Sequence, residues 1–192
     1  MSFDFDTLDH ITFMRAALEL AELARRAGER PIGAVIVHAG QVVGRGRAQH
    51  KGRQSEVAHA EMNALLQAEQ YLYGHKHTDC VIYTTLEPCV MCLGAIVMSN
   101  IEHVVYALAD NWIRPGEMLK MDYVQRHIRH YLGGILSETS AALWEQANPV
   151  ELAMLRDGRR PCAAPANSAP ANSHPSSANS HREHSAHPDR NS

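Results

Sequence analysis

Cys80-Val81-Ile82-Tyr83-Thr84 is a short apolar run, and within a few residues it gives way to Pro88-Cys89-Val90-Met91-Cys92-Leu93-Gly94-Ala95-Ile96. The first run reads as a buried strand and the second, from Val90 to Met98, as a helix, so the chain passes from strand to helix at Pro88-Cys89. Upstream, Val57 to Tyr71 has helical spacing, with Ala58, Met62, Leu65, Leu66 and Ala68 on its apolar side. Before it, Ile32–Val37 and Gln41–Gly44 flank the turn His38-Ala39-Gly40 and predict a hairpin; residues 45–56 read as a polar loop. At the start, Leu8, Ile11, Met14, Leu18 and Ala21 recur at helical spacing between an N-cap at Asp6 or Thr7 and a closing Gly28. Downstream, Val104–Tyr106 reads as a fourth strand and 108–125 as irregular, with a fifth strand around Ile128–Leu132. A helix capped by Ser137 runs to Gln146, and a short helical piece follows Pro149. This order predicts an α/β, three-layer α/β/α fold, a mixed sheet with helices on both faces. Such folds carry their chemistry where strands hand over to helices.

Composition narrows the function. No run reaches the ~18 apolar residues of a membrane span. The start, Met1 to Asp6, is acidic and lacks the basic and apolar pattern of a secretory signal. With four cysteines in 192 residues, too few for a disulfide scaffold, the expectation is a reduced, cytoplasmic protein whose cysteines serve as ligands or catalysts. A net charge of -3 gives no whole-chain attraction to nucleic acid. After residue 160 the composition changes: from Ala163 onward there is no Leu, Ile, Val or aromatic residue. The domains expected are therefore 1–160, folded, and 161–192, a disordered low-complexity tail rich in Ala, Pro, Asn, Ser and His.

Two clusters sit at handovers. His59-Ala60-Glu61 opens the second helix and Pro88-Cys89-Val90-Met91-Cys92 opens the third. Cysteines three apart at a helix start project on one side, where exposed N–H groups and the helix dipole favour thiolates. Two thiolates and one imidazole suit zinc, and three protein ligands leave a fourth position for water, as in catalytic sites. Glu61 lies beside His59 but is displaced around the helix, placed to take a proton from that water and pass it on. Read singly, C-x-x-C is also a dithiol redox pair and His59 a helix cap. A structural zinc would need a fourth ligand from Cys80 or Cys162.

Together the two clusters resemble the zinc-deaminase signature. From Glu29 to Asp110 the chain resembles the cytidine-deaminase superfamily, near the bacterial tRNA-specific adenosine deaminases and guanine deaminases. The resemblance is carried by Arg30-Pro31-Ile32-Gly33-Ala34-Val35, by His59 to Leu65, and by Tyr83 to Ile96. Gly134 to Leu143 further resembles the final strand–helix junction of the tRNA enzymes. The resemblance implies a five-stranded sheet between helix layers, commonly in a homodimer. It implies Zn2+ held by His59, Cys89 and Cys92, Glu61 as the catalytic proton shuttle, and backbone near Ala60 and Glu87 holding the substrate ring.

Two departures bear on substrate. Where the family has a base-reading Asn this chain has Ala48, with Gln49 following, so the hydrogen-bond pattern offered to the ring differs. The basic C-terminal helix of the tRNA enzymes is represented by Arg156, Arg159 and Arg160 in an acidic chain. Against this, Arg45, Arg47, Lys51 and Arg53 form a basic cluster just before the metal helix. The expectation is a zinc-dependent hydrolytic deaminase of a small aminated heterocycle. A tRNA adenosine deaminase is the first alternative, and a catalytically idle zinc-binding partner subunit the second.

Overall fold

A computed structural model describes residues 3–74 and 78–160; the tail expected over 161–192, and Cys162 with it, lie outside the described residues. The helices are α1 (His10–Arg26), α2 (His50–Arg53), α3 (Ala60–Gly74), α4 (Val90–Met98), α5 (Asp122–His127), α6 (Ser137–Ala147) and α7 (Pro149–Asp157). The strands are β1 (Gly33–His38), β2 (Gln41–Arg47), β3 (Cys80–Leu86), β4 (His103–Leu108) and β5 (His130–Leu132), forming one sheet in the order β2-β1-β3-β4-β5. β1 is antiparallel to both β2 and β3, while β3, β4 and β5 are parallel, so the sheet is mixed.

Alternate residues of the central strands feed two cores. Ala34, Ile36, Ile82 and Val104 join α3, α4 and the Trp144–Leu155 region on one face. Val35, Val37, Val81, Tyr83 and Val105 meet Met14, Ala17 and Leu18 of α1 on the other. With both faces dry, β1 and β3 read as continuous apolar runs instead of alternating ones. No helix of the described residues is long and apolar enough to cross a membrane.

Several element boundaries differ from the sequence expectation, each for a local reason. α1 starts at His10, capped by Asp9, which accepts from the Thr12 amide at 3.0 Å. Asp6 and Thr7 instead belong to a separate 3-10 turn, because Phe5 is buried and stacks on the His130 ring at 4.1 Å. At the other end Gly28 takes φ +75°, and the Gly28 and Glu29 amides bond back to Arg25 and Ala24 (2.9 and 3.0 Å), a Schellman close. The polar stretch 45–56 is partly regular. β2 runs on to Arg47, and α2 follows with the Lys51 and Gly52 amides bonded to the Glu29 carboxylate (3.1 and 2.7 Å). α3 begins at Ala60 instead of Val57, since the Gln49 amide holds the Ala58 carbonyl (3.0 Å) outside the helix. Residues 108–125 contain a 3-10 turn at Pro115–Lys120 and the start of α5.

One contact places the site. α3 lies directly on β2: a Cβ at Gly46 would collide with the backbone oxygen of Ala60 and amide nitrogen of Ala64, and one at Gly44 would come within 2.8 Å of Ala64 O. The first turn of α3 is thereby pressed against the sheet, with His59 and Glu61 at its start.

Candidate active site

His59 immediately precedes α3, Cys89 occupies the N-cap position of α4, and Cys92 lies in that helix's first turn. Folding brings them together: His59 Nδ1 is 3.6 Å from Cys89 Sγ and 3.5 Å from Cys92 Sγ, and the three ligand atoms lie within 4.8 Å of one another. One imidazole nitrogen and two sulfurs are a donor set that fits zinc. The S–H of Cys92 donates to Cys89 and draws the Cys89 thiol down to about 4, while the same bond and burial push Cys92 up. A bound cation would displace the proton of Cys92. His50 packs edge-on against the His59 ring at 4.8 Å.

Glu61 is 3% exposed and its Oε1 accepts the Thr84 hydroxyl of β3 at 2.8 Å. Burial raises its pKa, which brings a carboxyl group nearer to what a proton carrier working at neutral pH requires. Glu87 has a different task. Its Oε2 accepts the Asp110 amide and its Oε1 the Tyr131 hydroxyl, both at 2.9 Å, fastening the β3–α4 junction to the segments after β4 and at β5. Asp110 in turn accepts the Trp112 and Ile113 amides at 3.0 and 2.8 Å.

Above the triad is a cavity of about 200 Å³. His59, Glu61 and Cys89 form one end; Ile32, Leu86, Trp112 and Trp144 supply apolar walls; Arg30, Asp110 and Glu151 supply charge. Of the substrate-contacting candidates, Glu87 lines this cavity. Ala60 is buried beneath β2, Ala48 is fully buried in the core with its amide donated to Ile32 O (2.9 Å), and Gln49 is the N-cap of α2, so these three lie outside its wall. The basic cluster is outside it too. Lys51 Nζ is bonded to Gly28 O (2.7 Å), Arg53 to Asn63 Oδ1 (3.0 Å), and Arg45 is exposed on β2. The wall residues Trp112, Trp144 and Glu151 had no local signal in the sequence, and Arg30 was marked only as the start of a stretch that carries the family resemblance; tertiary packing unites the four.

The model of the MafB19-like deaminase family matches residues 8–141. A tRNA-specific adenosine deaminase of Streptococcus pyogenes serotype M18 (strain MGAS8232) is 34% identical over 118 residues, 62% of this chain and 74% of that protein. Among solved structures, a tRNA:A34 deaminase studied for A-to-I editing at the wobble position of transfer RNA superposes with a TM-score of 0.63 at 29% identity, covering 69% of this chain and 98% of the other. Guanine deaminase from Bacillus subtilis superposes with a TM-score of 0.51 at 34% identity, covering 60% and 72%. With its cytidine-deaminase-like fold and its His-Cys-Cys group beside a buried glutamate, the chain belongs to the MafB19-like deaminase family.

Proposed function

We propose that the protein is a zinc-dependent hydrolytic deaminase of a small, uncharged aminated heterocycle, a purine or pyrimidine base or its nucleoside. The observation that carries this reading is the Glu61 carboxyl, buried and held by Thr84 at 2.8 Å, beside three soft donors. His59 Nδ1 and the sulfurs of Cys89 and Cys92 would hold the metal. When bound, zinc supplies Lewis-acid activation of water at neutral pH. The chain's own groups do the rest. The apolar walls take the flat ring and exclude bulk water. Glu61 accepts a proton from the attacking water and delivers it to the ring nitrogen. It then carries the second proton to the departing amino group, so that C–O forms, C–N breaks and ammonia leaves. An idle zinc-binding subunit would have no use for that carboxyl in this place.

The charge of the cavity supports an uncharged substrate. Glu61, Glu87, Asp110 and Glu151 line it against the single cation Arg30. A phosphate there would face more negative than positive charge. The tRNA reading is favoured by relatives that bear that name and by exposed Arg45 on β2. We take the enzyme as a homodimer, supported by the exposed apolar side chains Leu66, Tyr73 and Met98 on α3 and α4.

An ammonia-release screen of the zinc-loaded protein over bases, nucleosides and tRNA tests this. Expected is turnover of a small substrate that changes little between about 50 and 200 mM salt, because no phosphate contact is made. Turnover of tRNA alone, weakened by salt and abolished by joint replacement of Arg45, Arg47, Lys51 and Arg53, would overturn it in favour of the tRNA reading.

A further inference from the structure

Arg30, just ahead of β1, and Glu151, in the first turn of α7, are 121 positions apart and form a two-point ion pair: Nη2 donates to Oε1 at 2.8 Å and Nε to Oε2 at 3.4 Å. Their side chains are 52% and 28% exposed, which puts the pair at a rim. It belongs to the walls of two cavities. One is the space over His59 and Glu61; the other, of about 400 Å³, lies beyond it against His50 and Asn148. We propose that this pair is the subsite for the sugar of a nucleoside, and that the enzyme therefore selects a ribonucleoside over its free base. The proposal rests on the reading that the first cavity takes the ring with its amino carbon toward Glu61.

The chemistry of the pair selects the ligand. A guanidinium has five N–H donors. Glu151 takes two of them, and no further acceptor among the described residues takes the others. Each oxygen of the Glu151 carboxylate keeps a lone pair. Donor and acceptor therefore stand side by side with no net charge, and the complement is a neutral group that accepts and donates at adjacent atoms, a vicinal diol. An anion suits the place poorly, since Glu29, Glu56 and Glu151 share the second cavity's wall with Arg30 and Lys51. Trp144 lines both cavities, and its indole N–H and His50 Nε2 are buried without a partner among the described residues. A free base seated in the first cavity leaves the second cavity, with His50, unfilled. In an internal nucleotide of RNA the 3′ oxygen is esterified, so the intact diol belongs to a free nucleoside.

The test compares kcat/KM of the zinc-loaded full chain for adenosine, guanosine and cytidine, their 2′-deoxy analogues and their free bases, with tRNA as a further arm. For whichever ring is deaminated, the ribonucleoside is expected to exceed the 2′-deoxy analogue by about tenfold and the base by more, as loss of a hydrogen bond to a charged partner requires. Glu151→Gln is expected to raise KM for the ribonucleoside about tenfold, to change kcat far less, and to bring the ribo-to-deoxy ratio toward one. Because the pair also ties α7 to the sheet, the exchanged variant Arg30→Glu/Glu151→Arg provides the structural control. It restores the ion pair with donor and acceptor interchanged, and is expected to melt like the parent while still losing the ribose preference. Equal use of ribo and 2′-deoxy substrates, equal or better use of the free base, or turnover of tRNA alone would overturn the subsite and leave deamination standing. No ammonia from any substrate would overturn both.

Discussion

Gly46→Ala tests whether contact between β2 and α3 positions the catalytic groups. The added methyl would overlap the carbonyl oxygen of Ala60 and the amide nitrogen of Ala64, and would sit 3.0 Å from the carbonyl carbon of Asn63. All three are backbone atoms of one helix, so no side-chain rotation relieves the overlap; α3 must lift from the sheet. Overpacking of this kind costs about 1–3 kcal/mol, and the backbone nature of the clash argues for the upper end. The alanine gains back about 0.4–1 kcal/mol through a less flexible unfolded chain. The net loss is about 2 kcal/mol, which in a domain of this size lowers Tm by roughly 4–8 °C. Activity should fall further than stability implies. Ala60 lies between His59 and Glu61, and a displacement of about 1 Å in a catalytic group costs on the order of 10²-fold in rate. Calorimetry and kcat, both on zinc-loaded protein well below its Tm, read the two effects. Gly74→Ala, at the far end of the same helix where a Cβ meets nothing within 4 Å, is the control. A Gly46→Ala protein with parental Tm and turnover would refute the seating of α3 on β2.

Three further outcomes follow from single contacts. Thr84→Val removes the hydroxyl held by Glu61; with about 1.5–3 kcal/mol in a bond to a charged acceptor, kcat should fall roughly 10- to 100-fold at unchanged zinc content, and an unchanged kcat would discharge Thr84 from positioning Glu61. Cys92→Ala should lose the metal and melt earlier, because binding and folding of the site are coupled; full zinc occupancy by elemental analysis would remove Cys92 from the ligand set. His103 is 2% exposed, bonded to Thr78 O at 2.8 Å and His130 Nδ1 at 2.7 Å, and burial lowers its pKa. The unfolded chain thus binds the extra proton first, and the stability contributed by neutral His103 is present above about pH 6.5 and lost as pH falls below it. Replacement by Phe should start from a lower Tm and lose less of it between about pH 7 and 5.5; parallel curves for the two proteins would contradict this.

What the sequence disclosed and what it hid divide along contact range. The β3–α4 handover was legible because a short apolar run from Cys80 to Thr84, a cysteine at the N-cap and a second one turn later are local signals; the strand itself runs two residues further, to Leu86. His59 and Glu61 were legible for the same reason. The start of α1 was not, since Asp4, Asp6, Thr7 and Asp9 all offer capping side chains; burial of Phe5 against His130 decides among them, and that partner is 125 positions away. The polar 45–56 stretch hid α2 because its amides are satisfied by Glu29, across the end of α1. The cavity wall was the least legible. Arg30, Trp112, Trp144 and Glu151 occur in no common motif, and Arg30 and Glu151 meet only after α7 folds back over the sheet. Sequence spacing placed the basic residues Arg45, Arg47, Lys51 and Arg53 near the site by proximity to His59, whereas β2 and α2 carry them away from the cavity over His59 and Glu61, and Lys51 lines only the second cavity beside it.

The most direct test of the central claim is ammonia release per bound zinc, compared between the parent and Glu61→Gln on whichever base or nucleoside the parent deaminates. The variant keeps the volume and the contact with Thr84 but cannot carry a proton. Equal zinc content and a fall of at least ~10²-fold in release, the lower end for general acid–base catalysis, are expected. Undiminished release from Glu61→Gln at equal zinc would contradict the assignment of Glu61 as the proton carrier.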